Sequence, residues 1–376
     1  MTTTPNPVEN GIRGTGRRGR PSAPGASRDG VPAIAALDLG TNNCRLLVAR
    51  PEGESFVVID AFSRAVRLGE GVGRSNELSD EAQARAVKAL RICAAKLRRH
   101  GVVDARIVAT EACRRAGNAA AFLRRVGREL GLRLEIISAE EEARLAVAGC
   151  APLIDAQAEH LMVFDIGGGS TELIWVDMSR TPPSRRVSLI RALAPAGRNG
   201  AEDANARAAA AHVTDWISIP LGVSTLHDLF TDVTNSEARF AAMSRHFGNL
   251  LAPFAPFRSA DRAALAQRLQ IIGVSGTATT FGALHLGLRT YDRSQVDGLW
   301  LSRDAAAAVA GRLVATTGAP QAPRVFARGK TGLMLSGAAI LMTILTAWPV
   351  ERMRIADRGL REGMLYGLLH QRRIAR

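Results

Sequence analysis

The chain has 376 residues, of which 47% are apolar and only 5% aromatic, and it carries a formal charge of +14 at pH 7. That length exceeds what one hydrophobic core usually holds, so two domains with Ala-, Val-, Leu- and Ile-based cores are expected, and the charge implies attraction to anions such as a polyphosphate, a nucleotide or a nucleic acid. The four cysteines, Cys44, Cys93, Cys113 and Cys150, form no C-x-x-C pair and have no histidine at zinc spacing, which argues against a disulfide framework and a structural zinc and fits a reducing cytoplasm.

Residues 1–32 carry Arg13, Arg17, Arg18, Arg20 and Arg28 against Glu9 and Asp29, a net of +3, and read as a disordered basic tail without a signal-peptide core. Order is expected from Ala33, with a buried strand running through Asp38-Leu39-Gly40 into a turn. A second strand follows at Arg45–Ala49 and a third near Phe56–Asp60. Apolar spacing near 3.6 (Ala82, Ala86, Ala89, Leu90, Cys93, Leu97) predicts a helix over 79–100 with Ser79 as its N-cap. A strand at Ala105–Ala109, a helix over 118–130 opened by Asn118, a strand at Leu134–Ile137 and a helix over 139–149 complete an N-terminal domain, 33–150.

The pattern then restarts in a C-terminal domain, 151–376. His160–Gly169 is again a buried strand ending in Asp165 and a glycine turn, and Leu173–Val176 is again the returning strand of a hairpin. Two copies of strand, Asp, glycine turn and strand in one chain are an internal repeat. Residues 178–213 break the pattern with Pro, Ala and six arginines against Glu202 and Asp203, a net of +4, and are expected to be a largely mobile insertion. With both basic segments set aside, +7 remains on the body. The apolar stretch Leu333–Val350 contains Ser336, Gly337, Thr343 and Thr346 and predicts a buried core helix in a protein without a membrane span. Gly329-Lys330-Thr331 looks like the end of a P-loop, but Arg324 stands where that loop needs glycine.

The two hairpins carry the chemistry. A glycine at a hairpin tip lets backbone amides approach an anion, and Thr41, Asn42 and Asn43 in the first copy and Ser170 and Thr171 in the second add side-chain donors. An Asp at the end of each strand could hold a hydrated Mg²⁺ that bridges phosphate oxygens. Either Asp-x-Gly alone reads as an ordinary tight turn; the pair, with Gly167-Gly168-Gly169, argues for an anion site. A third glycine turn, Ser275-Gly276-Thr277, follows an apolar strand and is weak by itself. Arg114 and Arg115 follow a strand at its carboxyl end, where ligands gather in open α/β sheets and an arginine can grip a phosphate bidentately. Glu140, Glu141 and Glu142 stand at a helix start with Ser138 as N-cap, and nothing in the residues themselves separates a catalytic carboxylate from ordinary helix-start chemistry.

The ordered run D-L-G-T-N, E-A-x-R-x-A-x-N, E-E-A-R-L, D-I-G-G-G-S-T-E, S-G-T-x-T and G-L-R-E-G, from Asp38 to Gly363, resembles the exopolyphosphatase and guanosine pentaphosphate phosphatase family. The resemblance implies an α/β fold of two ribonuclease-H-like lobes, as in the actin-like ATPase superfamily, with the site in the interlobe cleft. It implies Glu142 as the residue that activates water and Arg114 as the arginine on the phosphate. It also implies Asp38, Asp165 and Glu172 as residues linked to Mg²⁺ (or Mn²⁺), with Thr41, Asn42, Asn43, Arg45, Gly167, Gly168, Gly169, Ser170, Thr171, Ser275, Gly276 and Thr277 binding substrate phosphates. G-L-R-E-G looks like a structural signature, its helix packing back on the first lobe. Ala139 stands where the family usually has Gly, Cys44 where Phe is common, and the chain resembles the short, two-lobed form.

The leading expectation is a cytoplasmic, magnesium-dependent exopolyphosphatase acting on inorganic polyphosphate. The alternatives are a guanosine pentaphosphate phosphohydrolase, an ATP-binding kinase or switch, and a non-catalytic polyanion binder. A homodimer, and a nucleic-acid contact through the basic tail, stay open.

Overall fold

The computed structural model describes residues 31–195, 204–258, 261–316 and 331–374. Residues 1–30 of the basic tail, residues 196–203 of the expected insertion and the Gly329-Lys330 pair lie outside them. Strands β1 (Ile34–Leu39), β2 (Asn43–Glu52), β3 (Ser55–Ala65), β4 (Asp104–Ala109) and β5 (Glu135–Ile136) form one sheet in the order β3-β2-β1-β4-β5. β1 is antiparallel to β2 and parallel to β4. Strands β6 (His160–Ile166), β7 (Thr171–Asp177), β8 (Val213–Ile219), β9 (Leu269–Val274), β10 (Trp300–Ser302) and β11 (Arg352–Ala356) form the second, in the order β10-β11-β9-β6-β7-β8. Apart from the edge strand β10, the second sheet repeats the first strand for strand, with β6 in the place of β1. Two such sheets are two ribonuclease-H-like lobes.

The central strands read as continuous apolar runs because helices cover both faces of each sheet; Ile34, Ala35, Ala36 and Leu37 of β1 are all fully buried. Helix α1 (Asp80–Arg99) begins where expected, the Ser79 side chain accepting from Ala82 N at 3.2 Å. Asn118 does not cap α2 (Ala119–Leu130); its amide instead brackets Leu78, accepting from Leu78 N at 2.9 Å and donating to Leu78 O at 3.0 Å. β3 continues to Ala65, past the expected end at Asp60, because its pairing with β2 persists after the apolar pattern stops. Helix α3 (Ala139–Gly149) ends the first half.

The segment 178–213, expected to be a largely mobile insertion, lies partly within the described residues. Its described part holds α4 (Pro183–Ala192) and α5 (Ala204–Ala210), with Ile190, Leu193 and Ala194 buried. The apolar face of α4 is disguised by Arg186, which is 5% exposed and donates to the carbonyls of Thr181 and Ala156, both at 2.9 Å. Helix α6 (Ser275–His285) follows β9, and α7 (Thr331–Ala347) lies in the core of the second lobe, with Leu335, Ala338, Ile340, Leu341 and Ile344 buried. No helix among the described residues is long and apolar enough to cross a membrane.

The C-terminal helix α8 (Leu360–Ile374) returns to pack on α3 and β1. Gly359, just before α8, and Gly363 and Gly367 within it recur at intervals of four and leave a bare backbone stripe along one side. The contact is close: a Cβ on Gly363 would lie 2.0 Å from Leu145 O, and one on Gly149 would lie 2.0 Å from Gly359 O. One apolar cluster runs through this junction, joining Ile34, Leu47 and Val108 of the first sheet to Val163, Ile174 and Ile272 of the second. The lobes therefore share a core beneath the cleft.

Candidate active site

The two hairpins are built alike. Asp38 pairs directly across its hairpin with Arg45, and Asp165 across the other with Glu172. Each turn closes by the same bond, Gly40 N to Asn43 O and Gly167 N to Ser170 O, both 2.9 Å. The tip carbonyls are drawn into the protein: Thr41 O accepts from Gly69 N (3.0 Å), Asn42 O from Val66 N (2.8 Å), Gly167 O from Val223 N (2.9 Å) and Gly168 O from Ser224 N (2.8 Å). The amides of Thr41, Asn42, Gly168 and Gly169 make no hydrogen bond among the described residues. Successive free amides of this kind form a concavity for an anion. The support is tight, since a Cβ on Gly222 would fall 2.4 Å from Gly167 O. The tips also meet each other, with Asn42 Nδ2 lying 3.6 Å from where a Cβ on Gly168 would sit.

Carboxylates from both lobes converge here. Burial pushes Asp38 up to about 6, against the pull of Arg45 and Arg361, and the charge of Asp165 adds to the rise. Burial also raises Asp165, opposed by a hydrogen bond from Ser275 and by Arg45. Glu172 is pushed up to about 7 by burial and then by Asp165, against bonds from Ser170 and Ser218, the latter at 3.0 Å. Ser275 holds a left-handed backbone, φ 72°, at the start of α6. Such a conformation in a non-glycine residue costs of order 1–3 kcal/mol and tends to cluster at functional sites.

These carboxylates fit a hydrated divalent cation. Asp38 Oδ1 is buried and has no hydrogen-bond partner, an arrangement that is costly without a ligand. Among the described residues no three His, Cys, Asp or Glu side chains form a ready cage. Mg²⁺ does not require one, because it keeps several waters and binds through one or two carboxylates plus substrate phosphates.

The three glutamates at the start of α3 part company in the structure. Glu140 is exposed, and Glu141 is buried against Arg106. Glu142 faces the cleft and accepts from Arg114 Nη1 at 2.8 Å, while the same nitrogen donates to Ile137 O at 3.0 Å. Burial pushes Glu142 up to about 7 in spite of Arg114, and the charges of Asp38 and Glu172 raise it further. Arg114 therefore orients Glu142 as well as standing beside the cleft. Arg115 is turned outward, pairing with Glu111 at 3.5 Å.

Two hydroxyls named in the sequence analysis do not reach the cleft. Thr171 is fully buried and donates to Leu221 O at 2.7 Å, and Thr277 is 6% exposed and donates to Ile166 O at 3.0 Å. Both brace the second hairpin from behind. Ser170 stays at the tip, Asn43 opens β2, and Gly276 stands in the first turn of α6 beside Ser275. Arg361, read as part of a structural signature, is brought close enough for its charge to act on Asp38 and Arg45. Its neighbour Glu362 is structural: its carboxylate accepts from Gly359 N at 2.9 Å and from Arg293 at 2.8 Å. Both residues sit in one motif, and only the folded arrangement distinguishes them.

The model of the Ppx/GppA phosphatase family matches residues 47–372. A Ppx/GppA enzyme from Aquifex aeolicus is 25% identical, with 89% of this chain and 99% of that one covered and a TM-score of 0.69. A protein described as exopolyphosphatase-like is 25% identical over 93% of this chain and 100% of that one, with a TM-score of 0.70. An exopolyphosphatase from Cytophaga hutchinsonii shares the fold at 22% identity, over 90% and 98% of the two chains, with a TM-score of 0.68.

Proposed function

This chain belongs to the Ppx/GppA phosphatase family, and from that premise we propose that its cleft hydrolyses terminal phosphates from inorganic polyphosphate with Glu142 as the general base. The observation that carries this reading is the placement of Glu142. It is held by Arg114, lies close enough to feel the charges of Asp38 on its own lobe and of Glu172 on the other, and has an affinity for protons poised near neutrality. A base must be ionised at the working pH yet basic enough to take a proton, and a value near 7 satisfies both.

The terminal phosphate enters between the hairpin tips, where the amides of Thr41, Asn42, Gly168 and Gly169 donate to its oxygens. Arg45, fixed opposite Asp38, adds positive charge, and so does Arg114 beside Glu142. Water bonded to Glu142 loses a proton to the carboxylate as its oxygen attacks phosphorus in line. The phosphoanhydride P–O bond breaks, its electron pair leaves with the shortened chain, and orthophosphate is released. Asp38, Asp165 and Glu172 would hold Mg²⁺ or Mn²⁺, whose charge would offset that developing on the transferred phosphoryl group.

The test is phosphate release from polyphosphate with and without Mg²⁺, run beside guanosine pentaphosphate at equal concentration of terminal phosphate. Glu142→Gln is expected to keep polyphosphate binding while kcat falls by at least about 100-fold, the scale of a lost general base. Unchanged turnover in that variant would remove the mechanism. Faster release from guanosine pentaphosphate would reassign the substrate and leave the mechanism standing.

A further inference from the structure

A cavity of about 680 Å³ lies between α4, α5, the C-terminal half of α8 and the β2–β3 turn. None of its lining residues belongs to the catalytic cleft. Its walls are apolar where helices meet, at Leu189, Ala192, Ala209 and Leu369, with the ring of Tyr366 among them. Within it, the Arg191 guanidinium lies 5.4 Å from the Tyr366 ring centroid and pairs with Glu54 at 3.3 Å, so those two charges are matched. Arg180 and Arg185 also line the cavity, both exposed, and neither has an acidic partner within ion-pair distance among the described residues.

We propose that this cavity is a second ligand site, taking an anion with a flat apolar body, of the size and chemistry of a nucleoside mono- or diphosphate. Its volume falls in the range of small-molecule sites, which are apolar clefts with a few placed polar groups. The aliphatic walls and Tyr366 suit a ring system. Arg180 and Arg185, two planar forks without carboxylate partners among the described residues, suit a phosphate or diphosphate, which guanidinium groups bind bidentately. A fatty acyl chain would use the walls and leave one guanidinium idle, and a free inorganic anion would leave the apolar lining unused. The proposal does not depend on the reaction in the cleft.

Calorimetric titration of the full chain with ADP and with GDP tests it, with adenosine and orthophosphate as the separate halves. At least one of the two nucleoside diphosphates is expected to bind at one site, more tightly than either half. Arg180→Glu combined with Arg185→Glu is expected to weaken that binding at least 10-fold, since both positions are exposed and the fold does not need them. Ala209→Trp, which fills the cavity, is expected to abolish it. Failure of both nucleoside diphosphates to bind at millimolar concentration would overturn the proposal. Binding unchanged in the double Arg variant would also overturn it, placing the nucleotide in the cleft. Orthophosphate binding as tightly as the nucleotides would refute the apolar part of the ligand class.

Discussion

Replacing Gly363 by alanine puts a methyl carbon 2.0 Å from the backbone oxygen of Leu145, about 1.4 Å short of the 3.4 Å at which ordinary contact begins. The oxygen belongs to helix α3 and cannot rotate aside as a side chain would, so α8 must move away from α3. Overpacking of this kind costs about 1–3 kcal/mol. At about 2–4 °C per kcal/mol for a large domain, Tm should fall by roughly 2–12 °C. The same shift separates Glu142 on α3 from Arg361 on α8, and because a displacement of about 1 Å can cost 100-fold in rate, kcat/KM should fall by at least about 10-fold. Calorimetric melting and phosphate release measure the two effects. Gly311→Ala is the control. A Cβ at Gly311, in a helix interior, meets nothing within 4 Å and should raise stability by about 0.5–1 kcal/mol. A Gly363→Ala protein with the parent's Tm and rate would show that the α3–α8 contact is looser than the argument requires.

Because Glu142 must be ionised to accept a proton and is pushed up to about 7, kcat/KM should fall about tenfold per pH unit below that value, with a one-proton slope in a pH–rate profile. A profile flat down to pH 5 would contradict the assignment. Glu172 is raised from 4.5 to about 7, so its protonated form stabilises the fold below the unfolded value, and that contribution is lost as pH rises through 7. Glu172→Gln should therefore raise Tm at pH 8 in metal-free buffer and leave it nearly unchanged at pH 5, as thermal unfolding at the two pH values would show. Asp297 is 10% exposed and pairs with Arg358. Asp297→Ala strands that guanidinium and should cost about 3 kcal/mol, read from the midpoint of urea unfolding at constant m.

The repeat that defines the molecule was visible in the residues because its cause is local. A strand followed by Asp, a glycine turn and a returning strand sets its own backbone, so Asp38 and Asp165 were found without any knowledge of what they face. The cap at Ser79 and the core helix over 331–347 were legible for the same reason, since capping and apolar spacing act within a few residues. β3 was cut short because an edge strand with an exposed face loses its apolar signature before it loses its pairing. The helix over 183–192 was missed because a buried, hydrogen-bonded arginine stood in its apolar face.

What the chain could settle alone was the turn chemistry, the duplicated motif and the family likeness that follows from it, all of which depend on neighbours in sequence. The assignment of roles within each motif depended on neighbours in space. Glu141 and Glu142 are adjacent, yet the helix turns one toward Arg106 and the other toward Arg114 and the cleft. Thr171 was spent on Leu221 and Thr277 on Ile166, while Arg361 was brought to Asp38 across more than three hundred positions. A residue's type and its motif state what chemistry it can perform; the packing of two lobes around one shared core decides which carboxylate is dry, which is paired and which meets the substrate.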